Sequence, residues 1–218
     1  MHPPTWPALG TTQSQLLADD WKIFTYAALA VAVLVWALIA FAALRFRRTA
    51  RNAEPRSQRE NNPALEIGWT IAPLVLVIAL FGITYHIENE VERLDPNAAV
   101  QVDVNAFRWG WTFHYKGGPT VNGTSNAPPE MVLPLGETVA FNVTSSDVIH
   151  AFWVPDMLFK RDAIPGRLTS FDLTPSKSGM FLGRCGEFCG LDHATMTFRV
   201  RIVSPDAYKH WLASEATR

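Results

Sequence analysis

Cys185-Gly-Glu-Phe-Cys189-Gly-Leu-Asp-His193-Ala-Thr-Met196 places two thiols, an imidazole and a thioether in one short stretch of the chain. Zinc accepts thiolate and imidazole ligands but gains nothing from a thioether. Soft thiolate and thioether donors select copper, as does an imidazole–thiolate set completed by a weak methionine. A single blue-copper ion needs one cysteine. Two cysteines suit two ions better, each sulfur bridging both, and then a second histidine is required. The alternative for paired cysteines in an exterior domain is a disulfide, which leaves His193 and Met196 without a role.

Working outward, the second histidine stands in Val148-Ile149-His150-Ala151-Phe152-Trp153-Val154-Pro155. It enters an apolar segment where an uncompensated imidazole is out of place. Around both segments apolar and polar residues alternate with a period of two: Val100, Val102 and Val104; Val139, Phe141 and Val143; Phe171 and Leu173; Phe198, Val200 and Ile202. Turn clusters are expected between the runs, at Gly117-Gly118-Pro119, Asn122-Gly123, Pro128-Pro129, Pro134 to Gly136 and Pro165-Gly166. Short alternating strands with frequent turns indicate an all-β sandwich or barrel, and Pro205 to Ser214 reads as a closing helix. Cupredoxin-like sandwiches take one histidine from an earlier strand and their other ligands from a late loop, and this spacing fits that plan.

The N-terminal third is different. Ile23 to Leu44 and Ile67 to Tyr85 are uncharged runs of 22 and 19 residues in a chain of 218. At about 1.5 Å per residue the first crosses a hydrocarbon core of about 30 Å. Gly68, Pro73 and Gly82 interrupt the second, as membrane helices tolerate. A signal peptide is a poor reading of the first run, which is too long and is preceded by Asp19 and Asp20. Met1 to Leu17 is expected to be extended. Asn62 and Pro63 suit the N-cap and first position of the second helix. Between the runs lie Arg45, Arg47, Arg48, Arg51, Arg56 and Arg59 against Glu54 and Glu60, a short basic loop that stays cytoplasmic by the positive-inside rule. Both termini and everything after His86 are therefore expected outside. The formal charge of −1 conceals this asymmetry, and nucleic acid is not the implied partner. The expected segments are 1–20 as an exterior N-terminal stretch, 21–46 as transmembrane helix 1, 47–62 as the cytoplasmic loop, 63–90 as transmembrane helix 2, and 96–218 as the exterior copper domain.

With these residues in view, the chain resembles cytochrome c oxidase subunit II. The likeness rests on the Cys-x-x-x-Cys-x-x-x-His-x-x-Met loop, the His150 to Pro155 segment, the paired N-terminal helices and the exterior β-domain, and covers nearly everything after residue 20. It implies two membrane helices in a hairpin, then a cupredoxin-like sandwich or barrel with a short C-terminal helix. It implies a dinuclear CuA centre held by His150, Cys185, Cys189, His193 and Met196, with the backbone carbonyl of Glu187 as a further ligand. The Glu187 carboxylate would then face a magnesium or manganese ion shared with the catalytic subunit. The implied activity is acceptance of single electrons from cytochrome c, or a cytochrome c domain, and their transfer to haem in subunit I of a proton-pumping oxidase. Other oxidase subunits and the lipid bilayer, by expectation a bacterial inner membrane, are the remaining partners.

The resemblance also gives roles to three further places. In Phe107-Arg-Trp109-Gly-Trp111-Thr-Phe113-His-Tyr115 aromatics fall at every second position, so on one strand all five would share a face. A core face is the plain reading, and the resemblance makes Trp109 the point where electrons arrive. Gly110 and Arg108 depart from the common pattern there, while Asp147 is a candidate to attract a basic cytochrome. Glu66 opens the second helix, where the macrodipole favours an acid; the resemblance sets it at the mouth of a proton-uptake channel. Asp162, Pro165, Gly166 and Arg167 match a stretch near the subunit interface. Other classes weighed against this reading are a membrane-anchored copper carrier, a copper-free quinol-oxidase relative, and the CuA subunit of a nitric-oxide-reducing complex.

Overall fold

The structure is a computed structural model, and it describes residues 9–47 and 61–215. Arg48, Arg51, Arg56 and Arg59 of the expected basic loop lie outside the described residues. Those residues form two compact units, one made of the chain up to Ala18 with Glu88 onward, the other of Asp19–Ile87.

The helical unit follows from composition. Helix α1 spans Thr12–Arg45 and helix α2 Pro63–Val91. Both are long and apolar enough to cross a membrane, and large apolar side chains such as Trp36, Phe41, Ile78 and Phe81 are exposed along them. A helix apolar all round with no protein over it is what a bilayer stabilises. The start of α2 is a reciprocal cap. Asn62 Oδ1 accepts from the Leu65 N–H at 3.3 Å, and Glu66 Oε1 accepts from the Asn62 N–H at 3.1 Å. Thr84 donates to the Asp20 carboxylate at 3.4 Å within this unit.

The expectation that Met1 to Leu17 is extended is corrected by the described part. Helix α1 already begins at Thr12, because Thr11 and Ser14 exchange side-chain to backbone hydrogen bonds at 3.1 Å each, a capping arrangement that satisfies two otherwise free N–H groups. Just before it the chain is strapped to the β-unit. Thr11 bridges Pro175, the Thr12 N–H donates to Thr174 O at 3.0 Å, and the Ser176 N–H donates to Gly10 O at 2.9 Å.

The second unit is a sandwich of ten strands. They are β1 (Val100–Phe107), β2 (Gly110–Tyr115), β3 (Thr120–Thr124), β4 (Glu130–Pro134), β5 (Val139–Ser145), β6 (His150–Val154), β7 (Phe159–Ala163), β8 (Thr169–Leu173), β9 (Gly179–Cys185) and β10 (Thr197–Val203), followed by helix α3 (Pro205–Glu215). One sheet has the order β3-β2-β1-β5-β8 and the other β4-β10-β9-β6-β7. Pairs β1–β5 and β4–β10 are parallel; the other ladders are antiparallel. The alternating valines and phenylalanines of the sequence fill the space between the sheets. Phe152 stacks on Phe198 at 4.9 Å between ring centroids, and Phe141 on Phe171 at the same separation. Asn122 and Gly123 lie inside β3 rather than in a turn. A Cβ on Gly123 would meet Ala127 O and Pro129 at 2.5 Å, so glycine serves close packing there.

The five alternating aromatics do not share a face. Arg108 and Trp109 form the two-residue turn between β1 and β2, with Phe107 paired to Gly110. Residues paired across strands point to the same side, so the alternation reverses at the turn. Trp111, Phe113 and Tyr115 share the buried face with Ala106, Val104 and Val102. Phe107 points the other way, and Trp109 is left on the turn.

Candidate metal centre

Four segments converge at one end of the sandwich. His150 opens β6, and Cys185 closes β9, whose register sets Phe152 opposite Cys185. The loop after Cys185 passes through Cys189 into a 3-10 turn at His193–Thr195 and returns to β10. Both ends of this loop are pinned. The Cys185 N–H donates to Met196 O at 2.9 Å, and the Gly186 N–H donates to Ala151 O at 3.0 Å. Met196 is thereby brought back beside Cys185, although eleven positions separate them in the chain.

The donor atoms are close. Cys185 Sγ lies 3.8 Å from Cys189 Sγ, 3.7 Å from His150 Nδ1 and 3.2 Å from Glu187 O. Cys189 Sγ lies 3.6 Å from His193 Nδ1 and 3.8 Å from Met196 Sδ. Both thiols are free, and the sulfur separation is far beyond the bonded distance of about 2.05 Å. Two ligands about 2.0–2.3 Å from one tetrahedral ion are themselves about 3.3–3.8 Å apart, so these spacings suit shared metal ions. His150, Cys185, Cys189 and Met196 are buried, and Trp111, with Phe152 and Phe198 against it, walls the histidine side at 6.4 Å between ring centroids.

The electrostatics set the two sulfurs apart. Burial pushes the Cys185 thiol up, but the His150 contact and backbone contacts at Ala151 and Glu187 outweigh it and bring the thiol down to about 6. Burial and the neighbouring Cys185 charge push Cys189 up to about 12. One thiolate thus forms readily, and a metal must displace the second proton. Burial lowers the affinity of His150 for a proton, yet its contacts to Cys185 and Asp147 leave it above the usual imidazole range.

Asp147 is the residue that sequence reasoning missed in this role. Its Oδ1 is 2.9 Å from His150 Nε2, and its carboxylate accepts from the backbone N–H of Val148 at 2.6 Å and of Arg108 at 2.8 Å. Burial alone would raise this carboxyl, but the His150 contact and the two N–H donors hold it well below the ordinary carboxylate range. The Asp-x-x-His spacing was the available signal. Asp147 is therefore not the free surface acid that the sequence suggested.

The Trp109 turn rests against the metal loop. The Trp109 indole N–H donates to Cys189 O at 3.1 Å, and its ring covers Gly190, where φ is +115° and a Cβ would come within 3.1 Å of Trp109 Cζ2. Gly110 is buried, and a Cβ there would stand 2.2 Å from Gly123 O and 2.7 Å from the Phe107 ring. The departure at Gly110 is thus an internal packing matter, and Arg108 is the one that reaches the surface.

The Glu187 carboxylate pairs with Lys160, which also lies 3.7 Å from Asp162 on β7. Pro165, Gly166 and Arg167 form an exposed turn closed by the Arg167 N–H on Ile164 O at 3.2 Å. Glu66 belongs to the helical unit and serves as the capping acid described above.

The family model described as "Cytochrome C oxidase subunit II, transmembrane domain" matches residues 12–85, and that for the periplasmic domain matches residues 124–203. A probable cytochrome c oxidase subunit 2 of Streptomyces avermitilis is 35% identical over 98% of this chain and 81% of its own length. Cytochrome c oxidase subunit 2 of Cereibacter sphaeroides is 33% identical over 84% of this chain and 70% of its own. Among solved structures, the periplasmic domain of subunit II of the cytochrome oxidase of Bradyrhizobium japonicum matches at TM-score 0.52 and 32% identity, covering 57% of this chain and 98% of that one.

Proposed function

The chain belongs to the cytochrome c oxidase subunit II family, and from that premise we propose that its copper centre is dinuclear and accepts single electrons from a c-type cytochrome, for delivery to haem in the catalytic subunit where oxygen is reduced. The observation that carries this reading is the donor count. One tetrahedral ion takes about four ligands. Two ions sharing both sulfurs take six, and six donors gather here: the sulfurs of Cys185 and Cys189, the Nδ1 atoms of His150 and His193, Met196 Sδ and Glu187 O. When bound, the copper pair supplies a one-electron store whose charge change is spread over two ions.

The rest falls to the chain's own residues. Asp147 accepts a hydrogen bond from His150 Nε2, which would leave the Nδ1 lone pair free to bind copper. The buried aromatic wall keeps water from the thiolates. Trp109, bonded to the Cys189 carbonyl, is the proposed route of electron input. Glu187 offers its carbonyl inward, and we assign its carboxylate, now held by Lys160, to a magnesium or manganese ion shared with the catalytic subunit. Glu66 at the start of α2 is the proposed proton-uptake residue, and the positive-inside rule sets the copper domain and both termini on the periplasmic side. A copper carrier is disfavoured, because release needs an accessible site and four of the five side-chain ligands are buried.

The test is copper content and low-temperature EPR of the full chain in detergent. Two coppers per chain with one unpaired electron shared equally between them are expected. One copper, or zinc alone, refutes the reading.

A further inference from the structure

We propose that a cavity beside helix α3 binds a small zwitterion, whose anionic oxygens accept from Tyr208 and Lys209 and whose ammonium pairs with Glu137. The site shares no residue with the metal centre and stands independently of the copper reading.

The cavity measures about 480 Å³ and lies within the unit that carries the sandwich, inside the range of about 300–1,000 Å³ typical of small-ligand sites. Its walls are the connector from Pro96 into β1, the β2–β3 turn, Glu137 and one side of α3. The turn is packed onto the helix: a Cβ on Gly118 would come within 3.3 Å of Leu212 Cδ2. The hollow is therefore formed before anything enters it.

Two tyrosines line it, and only one is satisfied. Tyr115 commits its hydroxyl to the backbone of Val132. Tyr208 is 5% exposed, yet among the described residues its hydroxyl has no hydrogen-bond partner. Its ring is fixed by Trp211 at 5.7 Å between centroids, and Tyr115 holds Trp211 edge-on at 5.0 Å. The sealed, unpaired side-chain atoms among the described residues are Trp111 Nε1, Arg161 Nε and Asp162 Oδ1. The Tyr208 oxygen is not one of them, so it opens into the cavity. Burial and the Glu137 charge push the hydroxyl up to about 12, which keeps it a donor at neutral pH. Buried tyrosine hydroxyls ordinarily find a partner; this one is left for a ligand.

Charge selects the ligand. Lys209 and the half-buried Glu137 line the same cavity, and among the described residues neither has an ion-pair or hydrogen-bond partner. Lys116 has engaged only Gln101 Oε1, at 3.3 Å, and an ammonium offers three donors. A donor hydroxyl and two ammonium groups call for anionic oxygens, while the free carboxylate calls for a cation. A plain anion would face Glu137 unrelieved, and like charges set together are costly. One molecule carrying both groups meets every one of these side chains. A phosphate bearing an amine has this chemistry, whether as a free solute or as a phospholipid headgroup.

The test is isothermal calorimetry of the full chain in detergent, with O-phosphoethanolamine as probe, and one saturable site per chain is expected. Ethanolamine alone and inorganic phosphate alone should each bind at least about tenfold more weakly, since each forgoes charged contacts. Tyr208→Phe keeps the ring and should weaken the probe about tenfold, as should Glu137→Gln, with no fall in Tm in either variant. Native mass spectrometry of the full chain in nanodiscs of phosphatidylethanolamine and phosphatidylglycerol separates the sources. Retained phosphatidylethanolamine that is lost in Tyr208→Phe identifies a headgroup; calorimetric binding without such retention identifies a free solute. No binding in either experiment, equal binding of ethanolamine or inorganic phosphate, or a Tyr208→Phe chain that binds as tightly as the unmodified one overturns the proposal.

Discussion

Truncation of Asp147 (Asp147→Ala) asks whether a copper ligand is held in place by its outer partner. His150 is fully buried, with Nδ1 turned to Cys185 at 3.7 Å and Nε2 to Asp147 at 2.9 Å. If Nδ1 is to offer a lone pair, Nε2 must carry the proton, and Asp147 is its acceptor. The truncation leaves that buried N–H unpaired, at about 1–3 kcal/mol. Loss of an outer partner to a metal-bound histidine typically lowers metal affinity about 10–100-fold, which corresponds to about 1.4–2.7 kcal/mol. The two routes agree in size, so a weakening of copper binding in that range is the expected outcome. Titration of the copper-loaded full chain with a competing chelator, followed by thiolate-to-copper absorbance, measures it. Asp147→Asn keeps an acceptor and should lose less than about tenfold. Binding within about threefold of the unmodified chain in Asp147→Ala, or equal losses in both variants, would refute the argument. The pH sign is also fixed. With its folded value held below the ordinary one near about 3.9, Asp147 contributes stability that is fully present above that ordinary value and is lost only as pH falls through the folded value.

Three further outcomes follow from the same geometry. Gly110→Ala would set a Cβ 2.2 Å from a backbone oxygen; an unfolding penalty of about 3 kcal/mol or more is expected, visible as a lowered Tm together with altered tryptophan fluorescence from the displaced Trp109. Tyr115→Phe removes the hydroxyl that accepts from the Val132 N–H at 2.8 Å and donates to Val132 O at 3.0 Å, leaving both groups unpaired in the core; chemical denaturation should show a loss of about 2 kcal/mol with copper binding intact. Burial raises the Asp172 carboxyl, against the pull of the Asp95 N–H, so its contribution is fully present below the unfolded value near about 3.9 and declines as pH rises through the folded one. Asp172→Asn should therefore flatten the pH dependence of Tm across that window, and an unchanged slope would show that Asp172 is not the titrating group.

The chemistry of the site was legible because it is local. Cys185, Cys189, His193 and Met196 sit on one short loop, and soft donors at that spacing have few other uses. His150 was readable from a distance since an apolar strand start seldom carries an unexplained imidazole. The β-sandwich was readable from its period of two. Three features were not. The alternation from Phe107 to Tyr115 runs unbroken through a two-residue turn, and only strand pairing shows that the turn reverses its sense. The helical start at Thr12 depends on a cap between Thr11 and Ser14, which competes with the extended reading that the prolines nearby suggest. The pairing of Arg108 with Asp147 links residues 39 positions apart, so neither sequence neighbourhood announces it.

That pairing ties the Arg108–Trp109 turn to the copper site. The Arg108 N–H and the His150 imidazole are bound to the same carboxylate, while Trp109, the next residue, is bound to the carbonyl of a cysteine ligand. The β1–β2 turn therefore touches the centre at two points, on the histidine side and on the cysteine side. A substitution that moves its backbone should disturb both the EPR hyperfine pattern and the donor rate. Arg108→Gln retains the backbone N–H on Asp147 and should leave the hyperfine pattern unchanged. A shifted hyperfine pattern in Arg108→Gln would refute this and show that the guanidinium itself acts on the imidazole through Asp147.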